Sequence, residues 1–92
     1  MILESKIQSQ IINFLESEKW IVVKTIVLNR SGYPDIFAFK DSIALFVEVK
    51  SEKGILSELQ KYRIESLTKK KFKVIISNSI IDFKTKYKDH FK

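Results

Sequence analysis

The sequence predicts an α/β domain in which a mixed β-sheet is flanked by helices, in the element order α-β-β-β-α-β-α. Two observations support this prediction. Three segments place apolar residues at helical spacing, and four short runs are rich in β-branched and aromatic residues. Only two glycines and one proline interrupt the 92 residues. We therefore expect one domain that spans residues 1–92.

The three predicted helices are marked by apolar spacing and by capping residues. Residues 2–18 carry an apolar stripe along one face. Ser57 and Gln60 have the spacing of a capping box, so a second helix is predicted from there to about residue 70, with Tyr62 on its apolar side. Ser79 is the expected cap of a last helix.

Four strands are predicted between these helices. Residues 20–28 are continuous and β-branched, which indicates a largely buried strand. Residues 35–40 and 43–50 are separated by two polar residues and predict a β-hairpin. Residues 72–77 form the last strand, and the helix before it favours parallel pairing with the strand at 43–50.

The hairpin determines which side chains share a face of the sheet. With a turn centred between residues 41 and 42, Phe37 lies opposite Phe46, and Asp35 lies opposite Glu48. A slip of one residue would put the two acids on opposite faces. Facing carboxylates repel each other, so this pair needs a shared proton or a cation such as Mg²⁺ between its members.

Lys50 lies two residues beyond Glu48 and places a positive charge beside the predicted carboxylate pair. The three side chains together are typical of a site for metal-assisted hydrolysis of phosphodiesters. Each motif alone has a plain structural explanation. A Glu-x-Lys sequence is ordinary on a solvated strand, and an acid after Pro34 is common in turns.

Charge and composition favour a polyanionic partner. Seventeen Lys and Arg residues against eleven Asp and Glu residues give a net charge of +6. The basic residues concentrate at 61–73 and 84–92, a pattern that fits nucleic acid but also simple solubility. The chain has no cysteine, which excludes disulfides, thiolate chemistry and cysteine-based zinc sites.

Four motifs follow one another on the predicted elements. They are Glu4 on the first helix, the run Gly32-Tyr33-Pro34-Asp35, the run Glu48-Val49-Lys50, and the run Leu56-Ser57-Glu58-Leu59-Gln60. This order resembles the PD-(D/E)xK nuclease superfamily and, more narrowly, its virus-type replication-repair nuclease (VRR-NUC) family, over about residues 2–78. The resemblance implies a restriction-endonuclease-like fold.

The resemblance also implies roles for the central residues. Asp35 and Glu48 would bind Mg²⁺ or Mn²⁺ with help from the backbone carbonyl of Val49, and Lys50 would assist the attacking water.

Two further residues join the expected active site by the same resemblance. Glu4 would add another carboxylate or hold a metal-bound water, although an acid also suits the first turn of any helix. Gln60 would complete the catalytic set, and this reading is favoured, although its place in the capping box could explain it alone.

The expected DNA contacts lie before the Gly-x-Pro-Asp run and along the second helix. They are Arg30, Ser31, Lys61, Arg63, Lys69 and Lys70. A plain surface loop is an equally good interpretation of the first two. A solvated helix end, favourable to the helix dipole, is the simpler one for Lys69 and Lys70.

By analogy, the sequence predicts a structure-selective endonuclease of phage type, resembling Holliday junction resolvases that act as homodimers on four-way DNA junctions. The alternatives are a flap or nicking nuclease that works with a helicase, a DNA-binding protein without catalysis, and an interaction subunit. No apolar run is long enough to cross a bilayer, and residues 1–10 do not read as a signal peptide. We therefore expect a cytoplasmic protein without a membrane partner, in a bacterial host cell if it is phage-encoded.

Overall fold

The computed structural model describes residues 3–91, and within them the predicted order α-β-β-β-α-β-α is confirmed. The helices are α1 (Glu4–Ser17), α2 (Glu58–Lys69) and α3 (Ile80–His90). The strands are β1 (Ile21–Lys24), β2 (Ile36–Lys40), β3 (Ile43–Val49) and β4 (Lys73–Ser77). The predicted helix start at residue 2 lies outside the described residues. Over the described range, no helix has the length and apolar character that a bilayer crossing requires.

The four strands form one mixed sheet in the order β1-β2-β3-β4. β1 and β2 are antiparallel, as are β2 and β3, and β4 runs parallel to β3 after the connection through α2. The parallel pairing was predicted, because a strand that returns through a helix normally aligns with its predecessor.

A two-residue turn sets the register between β2 and β3. Asp41 and Ser42 have φ values of 51° and 67°, as in the type I′ turn that suits the twist of a hairpin. Lys40 therefore pairs with Ile43, and Phe37 pairs with Phe46, as predicted.

One face of the sheet packs against α1 and α3 to form the hydrophobic core. Alternate strand residues point to this face and meet the apolar stripes of the two helices. The buried strand residues are Ile36, Ala38, Leu45, Val47, Val49 and Ile75, and the buried helix residues are Ile7, Ile11, Leu15, Phe83 and Tyr87. α2 lies on the opposite face, where Gln60 contacts Glu48.

The predicted strand at residues 20–28 is wrong in its length and its burial. β1 ends at Lys24, and Ile26 and Val27 beyond it are 86% and 87% exposed. The reason is that β1 is an edge strand with one neighbour. A run of β-branched residues indicates a strand, but it does not show whether that strand lies at the centre or at the edge of a sheet.

The second helix begins as predicted, but its apolar side is not buried. Both hydrogen bonds of the capping box between Ser57 and Gln60 are present. No residue of α2 is fully buried, and Tyr62 is 63% exposed. Because α2 packs mainly along β4, much of the sheet face beneath it stays open.

Replacing Phe83 with alanine should lower the free energy of unfolding by about 3–5 kcal/mol, because a fully buried aromatic ring leaves a cavity in the core. Ile81→Ala is the matched control, since Ile81 lies on the same helix and is 77% exposed. Urea unfolding monitored by circular dichroism measures both. Equal midpoints for the two variants would contradict this account of the core.

Candidate active site

Two acidic side chains meet on the α2 side of the sheet. Asp35 directly precedes β2, and Glu48 lies one residue before the end of β3. The hairpin register pairs Ile36 with Val47. The next pair in the same register is Asp35 with Glu48, so the two acids lie opposite each other. Glu48 shares its face with Phe46, whereas Val47 and Val49 point into the core.

Asp35 is held from both neighbouring strands. Its Oδ2 accepts a hydrogen bond from the backbone N–H of Val49 at 2.9 Å. Its own carbonyl accepts from the N–H of Thr25 at 2.9 Å and from the Thr25 hydroxyl at 3.0 Å. The predicted strand started at residue 35, but β2 begins at Ile36. Just before β2 begins, the side chain of Asp35 thus accepts the hydrogen bond of a β3 backbone N–H group.

Glu48 is a buried carboxyl group with an incomplete set of partners. Its side chain is 1% exposed, and its Oε2 accepts a long hydrogen bond of 3.4 Å from Nε2 of Gln60. Oε1 is buried and meets no hydrogen-bond donor among the described residues. Such an oxygen needs either a proton or a cation.

Burial, and then the neighbouring Asp35, raise the pKa of Glu48 from 4.5 to about 8. The charge of Glu4 acts in the same direction, while the Lys50 ammonium acts against them. At neutral pH without a metal, the Glu48 carboxyl group is therefore mostly protonated. A divalent cation would replace that proton, and two clustered carboxylates with a free buried oxygen fit a hard ion such as Mg²⁺.

Lys50 follows β3 directly, and its side chain is half-buried beside the acids. A Cβ atom at Gly54 would lie 3.2 Å from Cδ of Lys50, so the loop at residues 51–54 passes close over the lysine stem. Within residues 3–91, the ammonium group makes no ion pair. It remains available to an anionic ligand.

Glu4 and Gln60 reach the site from different helices. Gln60 keeps its capping role, with Oε1 accepting from the Ser57 N–H at 2.9 Å, while its Nε2 faces Glu48. Oε2 of Glu4 accepts from the Ser51 N–H at 3.2 Å. No group of three or more His, Cys, Asp or Glu side chains is placed to hold a metal in the part of the chain that is described, although the charge of Glu4 still acts on the pKa of Glu48.

The loop before Asp35 is pressed against α2. Gly32 has φ of 88°, and a Cβ atom there would lie 2.6 Å from Cγ of Leu59, so only glycine fits without displacement. Nε of Arg63 donates to the Ser31 carbonyl at 3.0 Å, and its guanidinium lies 4.9 Å from the ring centre of Tyr33. Arg63 thus fixes this loop as well as carrying charge.

The other predicted DNA contacts are spread along the surface. Arg30 and Lys70 are exposed. Lys61 pairs with Glu58 at 3.4 Å, and Lys69 pairs with Glu65 at 2.9 Å. Exposed pairs of this kind are weak, so both ammonium groups can exchange partners.

The sequence did not identify Thr25 as part of the site. Residues 20–28 read as strand interior, and nothing in that pattern shows that a hydroxyl group will anchor Asp35. Thr25 also lines a cavity of about 350 Å³ that reaches from Asp35 to Arg30 and Ser31. Sequence position alone does not reveal such long-range contacts.

Comparison with known proteins gives a consistent result. The family model described as VRR-NUC domain matches residues 2–80. A solved structure described as a VRR_NUC domain is similar with a TM-score of 0.83 and 25% identity, over 97% of each chain. Another, described as a VRR_NUC domain protein, has a TM-score of 0.79 and 18% identity, over 99% of this chain and 89% of its own. No protein with a curated description matches.

The raised pKa of Glu48 predicts an unusual dependence of stability on pH. The folded pKa of Glu48, about 8, lies above the ordinary value of 4.5. The folded state therefore binds more protons between these values, and the metal-free protein should lose stability as pH rises from 5 to 8.5. Each unit of pKa difference is worth about 1.4 kcal/mol.

Glu48→Gln removes this titration and should keep the unfolding free energy nearly flat over the same range. Glu52→Gln, an exposed change in the next loop, is the control and should follow the parent protein. Urea titrations at a series of pH values in EDTA measure the effect. A parent protein whose stability rises toward pH 8.5 would contradict the buried carboxyl pair.

Proposed function

The chain belongs to the VRR-NUC family, whose domain is a nuclease of the PD-(D/E)xK type, and we propose that it is a metal-dependent, structure-selective DNA endonuclease. The observation that supports this most is the buried carboxyl of Glu48 beside Asp35, with one oxygen left without a donor in the described residues. In an otherwise apolar part of the sheet, such a pair is costly unless a ligand occupies it.

We propose that Asp35, Glu48 and the backbone carbonyl of Val49 hold Mg²⁺ or Mn²⁺. Mg²⁺ commonly takes only one or two protein carboxylates and completes its shell with water and substrate phosphate, which suits a site with two clustered acids. A bound ion supplies Lewis-acid activation of the phosphate and of water.

The chain's own side chains then orient the reactants. The Lys50 ammonium, free of ion pairs in residues 3–91, is placed to orient a water and to stabilise charge that develops on the phosphate. Gln60 holds Oε2 of Glu48. In the reaction, water adds across one P–O ester bond and leaves one phosphate end and one hydroxyl end.

DNA binding would rely on the positively charged surface around this site. The net charge of +6 favours DNA, and Arg30 lies exposed at the cavity that reaches Asp35. By analogy with junction resolvases, we propose branched DNA as the substrate, with a four-way junction as the first choice. A flap or nicked duplex, cut by a nuclease that works with a helicase, is the second choice.

We also propose that the protein acts as a homodimer, since cutting two strands of a junction needs two active sites. The outer edge of β1 is unpaired in the sheet, and its side chains Ile21 and Val23 are 69% and 48% exposed. An apolar edge strand with so little charge readily pairs with a copy of itself. This edge supports a symmetric interface between two chains.

Asp35→Asn and Glu48→Gln should each abolish cleavage in Mg²⁺ or Mn²⁺, by at least about 1000-fold, because either change removes a ligand for the ion. Lys50→Ala should reduce the rate by about 100-fold or more. The assay uses labelled four-way junction, flap, nicked duplex and single-stranded DNA, and product lengths identify the cut positions.

Matched controls separate these effects from general charge changes. Asp41→Asn makes the same chemical change at the other end of the hairpin, and Lys53→Ala removes an exposed lysine from the next loop. Both should keep parental rates. Full activity of Asp35→Asn would overturn the assignment, and DNA binding without cleavage of any substrate would favour a non-catalytic binding protein.

The mass in solution should be twice the chain mass of 10.8 kDa. Ile21→Lys places a charge on the apolar edge and should shift the mass toward the monomer, whereas Ile81→Lys, on exposed α3 surface, should not. Light scattering after size exclusion measures this. A parent protein that stays monomeric at tens of micromolar would contradict the dimer.

A further inference from the structure

A second cavity of about 350 Å³ lies on the open face of the sheet. Tyr33, Phe37 and Phe46 supply aromatic walls, Leu28 and Leu67 supply aliphatic ones, and Arg30 stands at the lining. Sites for small organic ligands commonly have volumes of about 300–1,000 Å³ and mostly apolar walls with a few polar groups. This cavity meets that description.

The aromatic walls stand directly beside the carboxylate pair. Phe37 lies two residues after Asp35, and Phe46 lies two residues before Glu48, so all four side chains share one face of the hairpin. The rings of Phe37 and Phe46 pack edge to face with centres 4.9 Å apart. They therefore form a fixed floor next to the proposed site of hydrolysis.

The cavity also adjoins the polar one that reaches Asp35. Both are lined by Leu28, Arg30 and Tyr33. The cavity beside Asp35 is thus the more polar of the two, the other is apolar and aromatic, and Arg30 lines both. A nucleotide has this same division, with an anionic phosphate at one end and a flat aromatic base at the other.

We propose that the aromatic cavity is a stacking site for one unpaired nucleobase of the DNA, next to the phosphate bound at Asp35 and Glu48. Every base has a π-face that can stack on aromatic side chains, largely independent of sequence. Paired bases inside a duplex are not available for such stacking. The cavity would therefore select DNA in which a base at the cleavage point lies outside the helix. This inference rests on the proposed function.

Tyr33 is held in place for this role from outside the cavity. The Arg63 guanidinium lies over its ring, and Gly32 allows the loop to press on α2. The wall that it contributes does not have to be ordered when a base enters, which lowers the entropic cost of binding.

The test compares two DNA duplexes with the same backbone. One carries a single unpaired adenine, and the other carries an abasic residue at that position, so only the base differs. Binding of the intact protein is measured by fluorescence anisotropy in EDTA, where no cleavage takes place. The parent protein should prefer the DNA with the base on the order of tenfold.

Phe37→Leu keeps an apolar side chain but removes the π-face, and it should lose this preference while its affinity for abasic DNA is unchanged. Phe39→Leu is the control, because Phe39 lies on the same face of the same strand, is 41% exposed and does not line the cavity. It should keep the preference. If thermal unfolding shows that Phe37→Leu is not folded, Tyr33→Leu tests the opposite wall.

Equal affinity of the parent protein for both DNAs overturns the stacking site, even if metal-dependent cleavage is intact. Conversely, a base preference that depends on Phe37, in a protein that cleaves no substrate, would support the stacking site and overturn the nuclease. Loss of preference in Phe39→Leu as well as Phe37→Leu would also overturn it, because the effect would then not belong to the cavity.

Discussion

Two adjacent carboxyl groups, of which one is buried away from water, cannot both stay ionised unless a cation binds between them. In this chain the pair is Asp35 and Glu48, and the surrounding structure supplies only part of what the charges need. One backbone N–H donates a hydrogen bond to Asp35, one side-chain amide donates to Glu48, and the positive charge of Lys50 lies nearby. The remaining free energy must come from a proton or from a bound ion. The arrangement thus costs stability in the free protein and favours binding.

The placement of both acids on one face of the sheet depends on a turn of two residues at the other end of the hairpin. Asp41 and Ser42 both adopt left-handed backbone conformations, and this turn keeps an even number of residues between paired positions. Since side chains alternate along a strand, an insertion of one residue there would move Glu48 to the core face of β3. The chemistry at one end of the hairpin depends on the geometry at the other.

The parts that sequence could predict are those governed by neighbours along the chain. The hairpin register and both capping motifs depend on residues that are close in sequence, and the parallel return through α2 follows from a general rule for strands joined by a helix. All of these predictions are confirmed. The burial of Ile21–Lys24 could not be predicted, because it depends on which strand lies at the edge.

Contacts between distant segments were likewise beyond prediction. Thr25 anchors Asp35, and Glu4 accepts a hydrogen bond from the Ser51 amide. In both cases the residue type matched the local pattern, and only the folded chain shows its partner. The exposure of α2 has the same origin, since amphipathic spacing does not reveal how much of a sheet face a helix covers.

Gly32 limits how this protein can diversify. Its backbone conformation and its contact with Leu59 leave no room for a side chain, whereas Arg30 and Ser31 beside it are exposed. Residues 30 and 31 can therefore be exchanged to alter the lining of the cavity beside Asp35, while position 32 must remain glycine. An attempt to change which ligand binds there should vary residues 30 and 31 and keep Gly32.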